Sequence, residues 1–456
     1  MKRHTRGHGH PSVPSSASGA AASHDVVGAP DLRTPGAAGS VEAIESTVLD
    51  NGVHVLSERI PGVRSISAGV WVRQGAAHET PELMGISHLL EHMVFKGTAK
   101  RTALEIADTL EALGGSLDAY TSREHTAYQA RVLDEHISEA LDVLADLVLA
   151  PRLEADDLEL ERQVVLEEIA QVEDTPDDMV FELHAERLWQ GHPYGRPILG
   201  SKDTVSGMSA EALQGLHRDR YVGRNLVVAA AGNVEHDAFV EAIDDLFGST
   251  PPGSRIEAVP EPGPTDRGVV RVDRSSAQTH IVFGNDAPPH ASEDRFPLIL
   301  LSSALGGGMS SRLFQRVREE LGLCYSVFTF QSFYRTAGLF GVYVGTRPAT
   351  ADAAADAVRE ELRRVAREGL GEGGLDRIKR QVKGQVMLSL ESTGSRLHRL
   401  AAFALHEEPF LGLDDLLAKV DAVTEDDIGR VATRYVDPEN HLELRLGPEA
   451  EQDDRP

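Results

Sequence analysis

The chain has 456 residues, of which 41% are hydrophobic and 26% charged, and its formal net charge is −27. That length and balance fit a soluble globular protein of two or three domains, and so acidic a chain argues against nucleic acid or an anionic membrane as the main partner. A single cysteine, Cys324, excludes an intrachain disulfide framework and a cysteine-based metal site, and makes a reducing, cytoplasmic compartment the simpler expectation.

Residues 1–43 are rich in Gly, Ala, Ser, Pro and His. Their basic start (Lys2, Arg3, Arg6) is not followed by an apolar run, so they read as a disordered tail and not as a secretory signal. An N-terminal domain is expected over 44–249. Asn51-Gly52 between two apolar runs predicts a tight hairpin, and Ser65–Val72 predicts a further strand.

Next comes Met84-Gly-Ile-Ser-His-Leu-Leu-Glu-His-Met-Val-Phe-Lys-Gly-Thr98, which contains His88-x-x-Glu91-His92. On a helix, Ile86, Leu89, Leu90, Met93 and Val94 form one apolar stripe, and His88, Glu91, His92 and Phe95 lie on the opposite face. Histidines at i and i+4 project one above the other, as two ligands of one metal must. Glu91 leans over the same spot, where a base could take a proton from a metal-activated water. Lys96 and Gly97 mark the end of the helix. The same pattern also fits a solvated face that carries two histidines by accident, and a metal reading requires a third ligand.

Leu104–Leu113 reads as a short helix stopped by Gly114-Gly115. Ser116–Thr121 and Thr126–Val132 read as strands, and Glu135–Leu149 as an amphipathic helix. On the helix predicted over Asp156–Glu173, Leu158, Val165, Ile169 and Val172 form the apolar stripe, with Glu161 and Glu168 beside it two turns apart. A carboxylate on the flank of a buried face needs a partner. Glu168 is therefore a candidate third ligand with Glu161 supporting the site, the alternative being ion pairs with Arg162 or a neighbour.

His192 falls in a loop, and Asn225–Gly232 reads as a buried strand; its apolar run is far too short to span a bilayer, so no membrane partner is expected. The Pro/Gly-rich stretch 250–266 reads as a linker, followed by a second domain over 267–448 and an acidic tail over 449–456. The second half repeats the first. Val205–Val222 matches Val420–Val436, and Arg162-Gln-Val matches Arg380-Gln-Val, which pairs Glu161 with Lys379 and Glu168 with Val386. Only the first copy carries the candidate metal residues. Gly306–Ser311 lacks the Lys-Ser/Thr of a phosphate loop and reads as a flexible turn.

Taken together, these residues resemble the pitrilysin/insulinase-type inverted-motif zinc peptidases (inverzincins), and among them bacterial relatives of the β subunit of the mitochondrial processing peptidase. The resemblance extends over about residues 44–447. The family has a glutamate about 76 residues after the second histidine, which is the separation of His92 and Glu168. Phe95-Lys-Gly-Thr98 and Gly114-Gly-Ser-Leu-Asp-Ala-Tyr-Thr-Ser-Arg-Glu124 match as well.

The resemblance implies that His88, His92 and Glu168 bind one Zn2+ per chain, that Glu91 is the general base, and that Glu161 supports the site. It implies that Arg318 and Tyr325 reach the bound peptide and its carbonyl oxyanion, and that Phe95, Asp118 and Ala119 contact substrate along an edge strand. Many members have Asn at the position of Asp118, so no side-chain role is carried over there. The implied fold is α+β, two tandem homologous α/β-sandwich domains forming one half of a clam-shell. The chain would then form a homodimer, or a heterodimer with a related subunit, in which Arg318 and Tyr325 face the partner's zinc. The implied function is a zinc-dependent endopeptidase acting on unfolded or extended peptides. The rival is a non-catalytic scaffold or activating subunit; such relatives usually lose motif residues, and all are present here.

Overall fold

The computed structural model describes residues 43–448; the tails expected at 1–43 and 449–456 lie outside the described residues, apart from Ala43, which opens the first strand. The first half runs β1 (Ala43–Val48), β2 (His54–Arg59), β3 (Ser65–Val72), α1 (Ile86–Val94), α2 (Ala103–Glu111), β4 (Ser116–Thr121), β5 (Thr126–Leu133), α3 (Ile137–Leu149), α4 (Ala155–Asp174), α5 (Pro176–Leu188), α6 (Lys202–Gly207), α7 (Ala210–Arg220), β6 (Leu226–Gly232) and α8 (His236–Phe247). The second half runs β7 (Gly268–Asp273), β8 (Thr279–Ala287), α9 (Arg295–Gly306), β9 (Cys324–Phe333), β10 (Gly338–Thr346), α10 (Ala351–Glu368), α11 (Gly374–Ser389), α12 (Thr393–His406), α13 (Leu413–Ala422), α14 (Glu425–Val431) and β11 (Leu442–Gly447).

The strands form two sheets. The first has the order β1-β2-β6-β3-β5-β4 and the second β7-β11-β8-β10-β9. Without β1 the two orders coincide strand for strand. Each contains one parallel pair, β2 with β6 and β11 with β7, in an otherwise antiparallel ladder. The internal repeat seen in the sequence is thus a repeat of topology, and the fold is two tandem homologous α/β domains.

Each sheet packs one face on helices of its own half. Beneath the first sheet, Ile86, Leu89, Leu90 and Met93 of α1 meet Val70 and Val72 of β3, together with Leu144 and Val148 of α3. Fully burying such side chains contributes about 1.5–3 kcal/mol each. The opposite faces are exchanged between halves. Helix α12 of the second half lays Leu397, Leu400, Ala401 and Ala404 on Leu56, Trp71, Val227 and Ala229 of the first sheet. In return, Val180 of α5 packs on Val282, Tyr343, Leu444 and Leu446 of the second. His184 of α5 sits directly over Gly284 of β8, where a Cβ would come 2.2 Å from its ring, and its Nε2 lies 3.2 Å from the carbonyl of Leu442.

Between the halves, residues 250–266 carry no regular structure but are tied down. Ile256 and Val259 are buried, and the Ile256 N–H donates to Asn225 Oδ1 at 2.9 Å. The linker expected there is a packed strap. Among the described residues, no helix is long and apolar enough to cross a membrane.

Candidate metal centre

Helix α1 starts at Gly85, whose φ of +89° is open to glycine and whose Cβ position lies 2.5 Å from the carbonyl oxygen of Leu199. The first turn is capped from outside the helix. The buried carboxylate of Glu79 accepts the N–H of Gly85 at 2.7 Å and that of Ser87 at 2.8 Å. Burial pushes this carboxyl up to about 7, against the pull of those two hydrogen bonds. The Ser87 hydroxyl in turn accepts Gln74 Nε2 at 3.0 Å.

The apolar stripe of α1 enters the core as expected, and the face carrying His88, Glu91 and His92 meets α4 and β4. His88 Nε2 and His92 Nε2 lie 3.7 and 3.6 Å from the same oxygen, Glu168 Oε2, and the two imidazole rings are 4.7 Å apart. Among the described residues, only these three could together hold a metal, their ligand atoms all lying within 4.8 Å of one another. Two observations test whether an ion fits. Glu168 Oε2 is buried with no hydrogen-bond partner although two imidazole nitrogens face it, and the spacing suits donors grouped about one tetrahedral ion roughly 2.0–2.1 Å from each. The donor set, two imidazoles and a carboxylate, is one that zinc takes.

For His88 the electrostatics agree. Burial, and then the neighbouring His92, push His88 down to about 3, so its imidazole is neutral with a lone pair to give. His92 is raised: burial opposes this, but the hydrogen bond to Glu161 and the charges of Glu168 and Glu91 outweigh it. Glu161 is not one of the three ligands. Its Oε2 lies 3.1 Å from His92 Nδ1, and its Oε1 accepts Lys96 Nζ at 2.7 Å. With Nδ1–H donating to Glu161, the Nε2 lone pair of His92 is directed at the cluster. Lys96 therefore serves Glu161 and not the end of its own helix. Arg162, the ion-pair partner considered for these glutamates, turns away to Glu159 and to the carbonyls of Val205, Ser206 and Met208.

Glu91 stands beside the cluster, and its Oε2 accepts the hydroxyl of Thr121 on β4 at 2.6 Å. Burial pushes the Glu91 carboxyl up to about 7, with the Thr121 hydrogen bond opposing. A carboxyl tuned there suits proton transfer near neutral pH. Phe95 is half-buried, 6.4 Å from the ring of Tyr128. Strand β4 pairs only with β5 and forms the edge of the first sheet; Asp118 is exposed on it, and Ala119 packs toward the core.

The structure does not bring Arg318 and Tyr325 to this cluster by any hydrogen bond or ion pair among the described residues. They adjoin each other at the start of the edge strand β9 of the second sheet, Tyr325 on the strand and Arg318 in the turn of helix before it. The Arg318 guanidinium lies 4.6 Å over the ring of Phe314 and 5.2 Å over that of Tyr325, and Tyr325 is 76% exposed. In the second copy the counterparts of the acidic residues are structural. Val386 is buried in the core, and Lys379 donates to the carbonyls of Asp421 and Val423. His192 is a loop residue whose Nε2 lies 2.9 Å from the Pro260 carbonyl.

Glu79, Gln74, Thr121 and Thr126 are the site residues that sequence reasoning missed. For Thr121 a signal existed: the period-two alternation that turns Leu117 and Ala119 inward carries Thr121 onto the same face.

A helix bearing two histidines and a glutamate, with a further glutamate from α4, on a duplicated α/β domain, is the arrangement expected from the resemblance to the inverted-motif zinc peptidases. The sequence matches the insulinase family model (peptidase family M16) over residues 54–202 and the peptidase M16 inactive-domain model over residues 207–382. An uncharacterized zinc protease of Streptomyces coelicolor is 39% identical over 86% of this chain and 87% of its own length. Another, from Bacillus subtilis, is 37% identical over 88% of this chain and 98% of its own. The chain belongs to peptidase family M16. Two solved structures share the fold: a peptidase M16 inactive domain from Pseudomonas fluorescens (TM-score 0.84, 20% identity, 89% of this chain and 98% of that one) and a protease from Helicobacter pylori (TM-score 0.82, 24% identity, 89% and 99%).

Proposed function

We propose that the chain is a zinc-dependent endopeptidase that hydrolyses extended or unfolded peptides. The observation that carries this reading is the convergence of His88, His92 and Glu168 on one point, with Glu91 fixed beside them. His88, His92 and Glu168 would hold the ion, which supplies Lewis acidity toward the charge that develops on an attacked carbonyl. Glu91 takes the proton of the attacking water and returns it to the leaving amine. The substrate adds to the free edge of β4 as an extra strand, so recognition runs through main-chain hydrogen bonds, with Phe95, Asp118 and Ala119 along its path.

Arg318 and Tyr325 belong to the reading through a second copy of the chain. They lie outside the cluster of their own chain, and Tyr325 is largely exposed. In the dimer each pair faces the other subunit's Glu91 and stabilises the oxyanion there.

The test is hydrolysis of a panel of unstructured basic peptides by the purified chain, with zinc measured on the same sample, beside Glu91→Gln. The expected result is cleavage that needs zinc and disappears in the variant while metal stays near one per chain. Zinc without cleavage would turn the reading toward an activating or scaffold subunit. No zinc would remove the site.

A further inference from the structure

We infer that Thr121 is a positioning residue for Glu91: its hydroxyl occupies one carboxylate oxygen and so fixes which of the two receives the proton. The inference rests on the peptidase reading above and deepens it.

The argument is a count of hydroxyl protons. Thr126, fully buried, donates its one proton to the carbonyl of Gln74 at 2.9 Å. Thr121 lies 3.4 Å from Thr126 Oγ1 and 2.6 Å from Glu91 Oε2. The short contact to a carboxylate is the stronger acceptor, so the single Thr121 proton is committed to Glu91. Glu91 Oε2 then carries a charge-assisted hydrogen bond that lowers its basicity, and Oε1 is the better oxygen to take a proton. When water attacks, its O–H bond breaks and an Oε1–H bond forms, and Thr121 keeps its own proton throughout.

The same contact places the base. Glu91 is absent from the group of three that could hold the ion, and the hydrogen bond to β4 holds its carboxylate aside from them. A separate set of hydrogen bonds runs from Thr126 through Gln74 to Ser87, in the first turn of α1. The two ends of the helix segment that carries His88 and Glu91 are thus each held by a hydrogen bond from outside the helix, one from Thr121 and one from Gln74. Because Thr121 is the last residue of β4, the orientation of the base is registered to the strand along which the peptide would lie.

Thr121→Val removes the donor at nearly constant shape, and Thr121→Ser keeps it. In the Val variant kcat should fall about twentyfold or more, part of the 10²–10⁴ that acid–base catalysis supplies, with KM within about twofold and zinc content unchanged. Its crystal structure, determined without metal, should show the Glu91 carboxylate moved from its place at β4. The Ser variant should recover most of kcat. A Val variant within about threefold of the parent, a loss carried by KM, a Ser variant as impaired as Val, or an unmoved Glu91 would each overturn the inference. If the parent chain hydrolyses nothing, the peptidase reading fails and this inference with it. An active parent beside an equally active Val variant removes this inference alone.

Discussion

Glu161 Oε2 lies 3.1 Å from His92 Nδ1, on the side of the imidazole opposite the nitrogen that faces Glu168. In the proposed site Glu161 therefore acts through a ligand and not as one. Glu161→Ala frees the ring to rotate and to change tautomer, and zinc affinity should fall about 10–100-fold, the usual cost of losing such a partner. Glu161→Gln keeps an acceptor without the charge and should fall between parent and Ala. Competition against a calibrated chelator measures both.

Glu79 gives the fold a pH dependence of known sign. Its carboxyl is raised from 4.5 to about 7 by burial. Between those values the folded chain holds a proton that the unfolded chain releases. The site's contribution to stability is thus greatest on the acid side and is lost as pH rises through about 7. Comparing urea melts of the parent with Glu79→Gln cancels the other titrating groups. The difference, parent minus variant, should shrink by on the order of 2–3 kcal/mol between pH 5 and pH 8. A difference that grows with pH would show that the two backbone hydrogen bonds outweigh burial.

The seat of His184 on Gly284 predicts a reversible clash. Gly284→Ala drives a methyl into the imidazole and should destabilise the chain by about 1–3 kcal/mol. His184→Ala in the same background makes room for it. A double-mutant cycle should then give a coupling of about 1 kcal/mol or more, and additivity would mean that the helix shifts freely.

The proposed exchange of Arg318 between subunits predicts complementation. Glu91→Gln and Arg318→Ala chains should each be inactive when they pair with their own kind. When mixed and reassembled, half of the dimers pair one of each and hold one complete site of two. The mixture should recover about a quarter of parental activity by C2 symmetry. No recovery would place Arg318 in the site of its own chain, and an active Arg318→Ala homodimer would place it outside the reaction.

The metal helix and the partner helix α4 were legible because their information is local. Residues at i, i+3 and i+4 share a face whatever surrounds them, so His88, Glu91 and His92 could be grouped from spacing, and Glu161 and Glu168 set beside a buried stripe. The repeat was legible for a related reason, since two copies of one topology keep recognisable helix ends such as Arg162-Gln-Val and Arg380-Gln-Val. Glu79 was not legible, because the groups it binds are the backbone N–H groups of Gly85 and Ser87, and backbone donors leave no mark on a sequence. Nor was the crossing of α5 and α12. An amphipathic helix shows that it needs an apolar surface but not which sheet supplies it. The small residues that receive it, Gly284 under α5 and Ala229 under α12, read alone as ordinary strand positions.

That crossing bears on why the chain keeps a second copy without metal residues. If α12 were removed, Leu56, Trp71, Val227 and Ala229 would stand open to water on one side of the very sheet whose other side carries α1. The second copy is in this sense the missing wall of the copy that carries the candidate metal residues, and the dependence is mutual through α5. Separating the copies would expose an apolar face on each sheet. The second copy thus carries none of the metal residues, yet the sheet of the first depends on its helix.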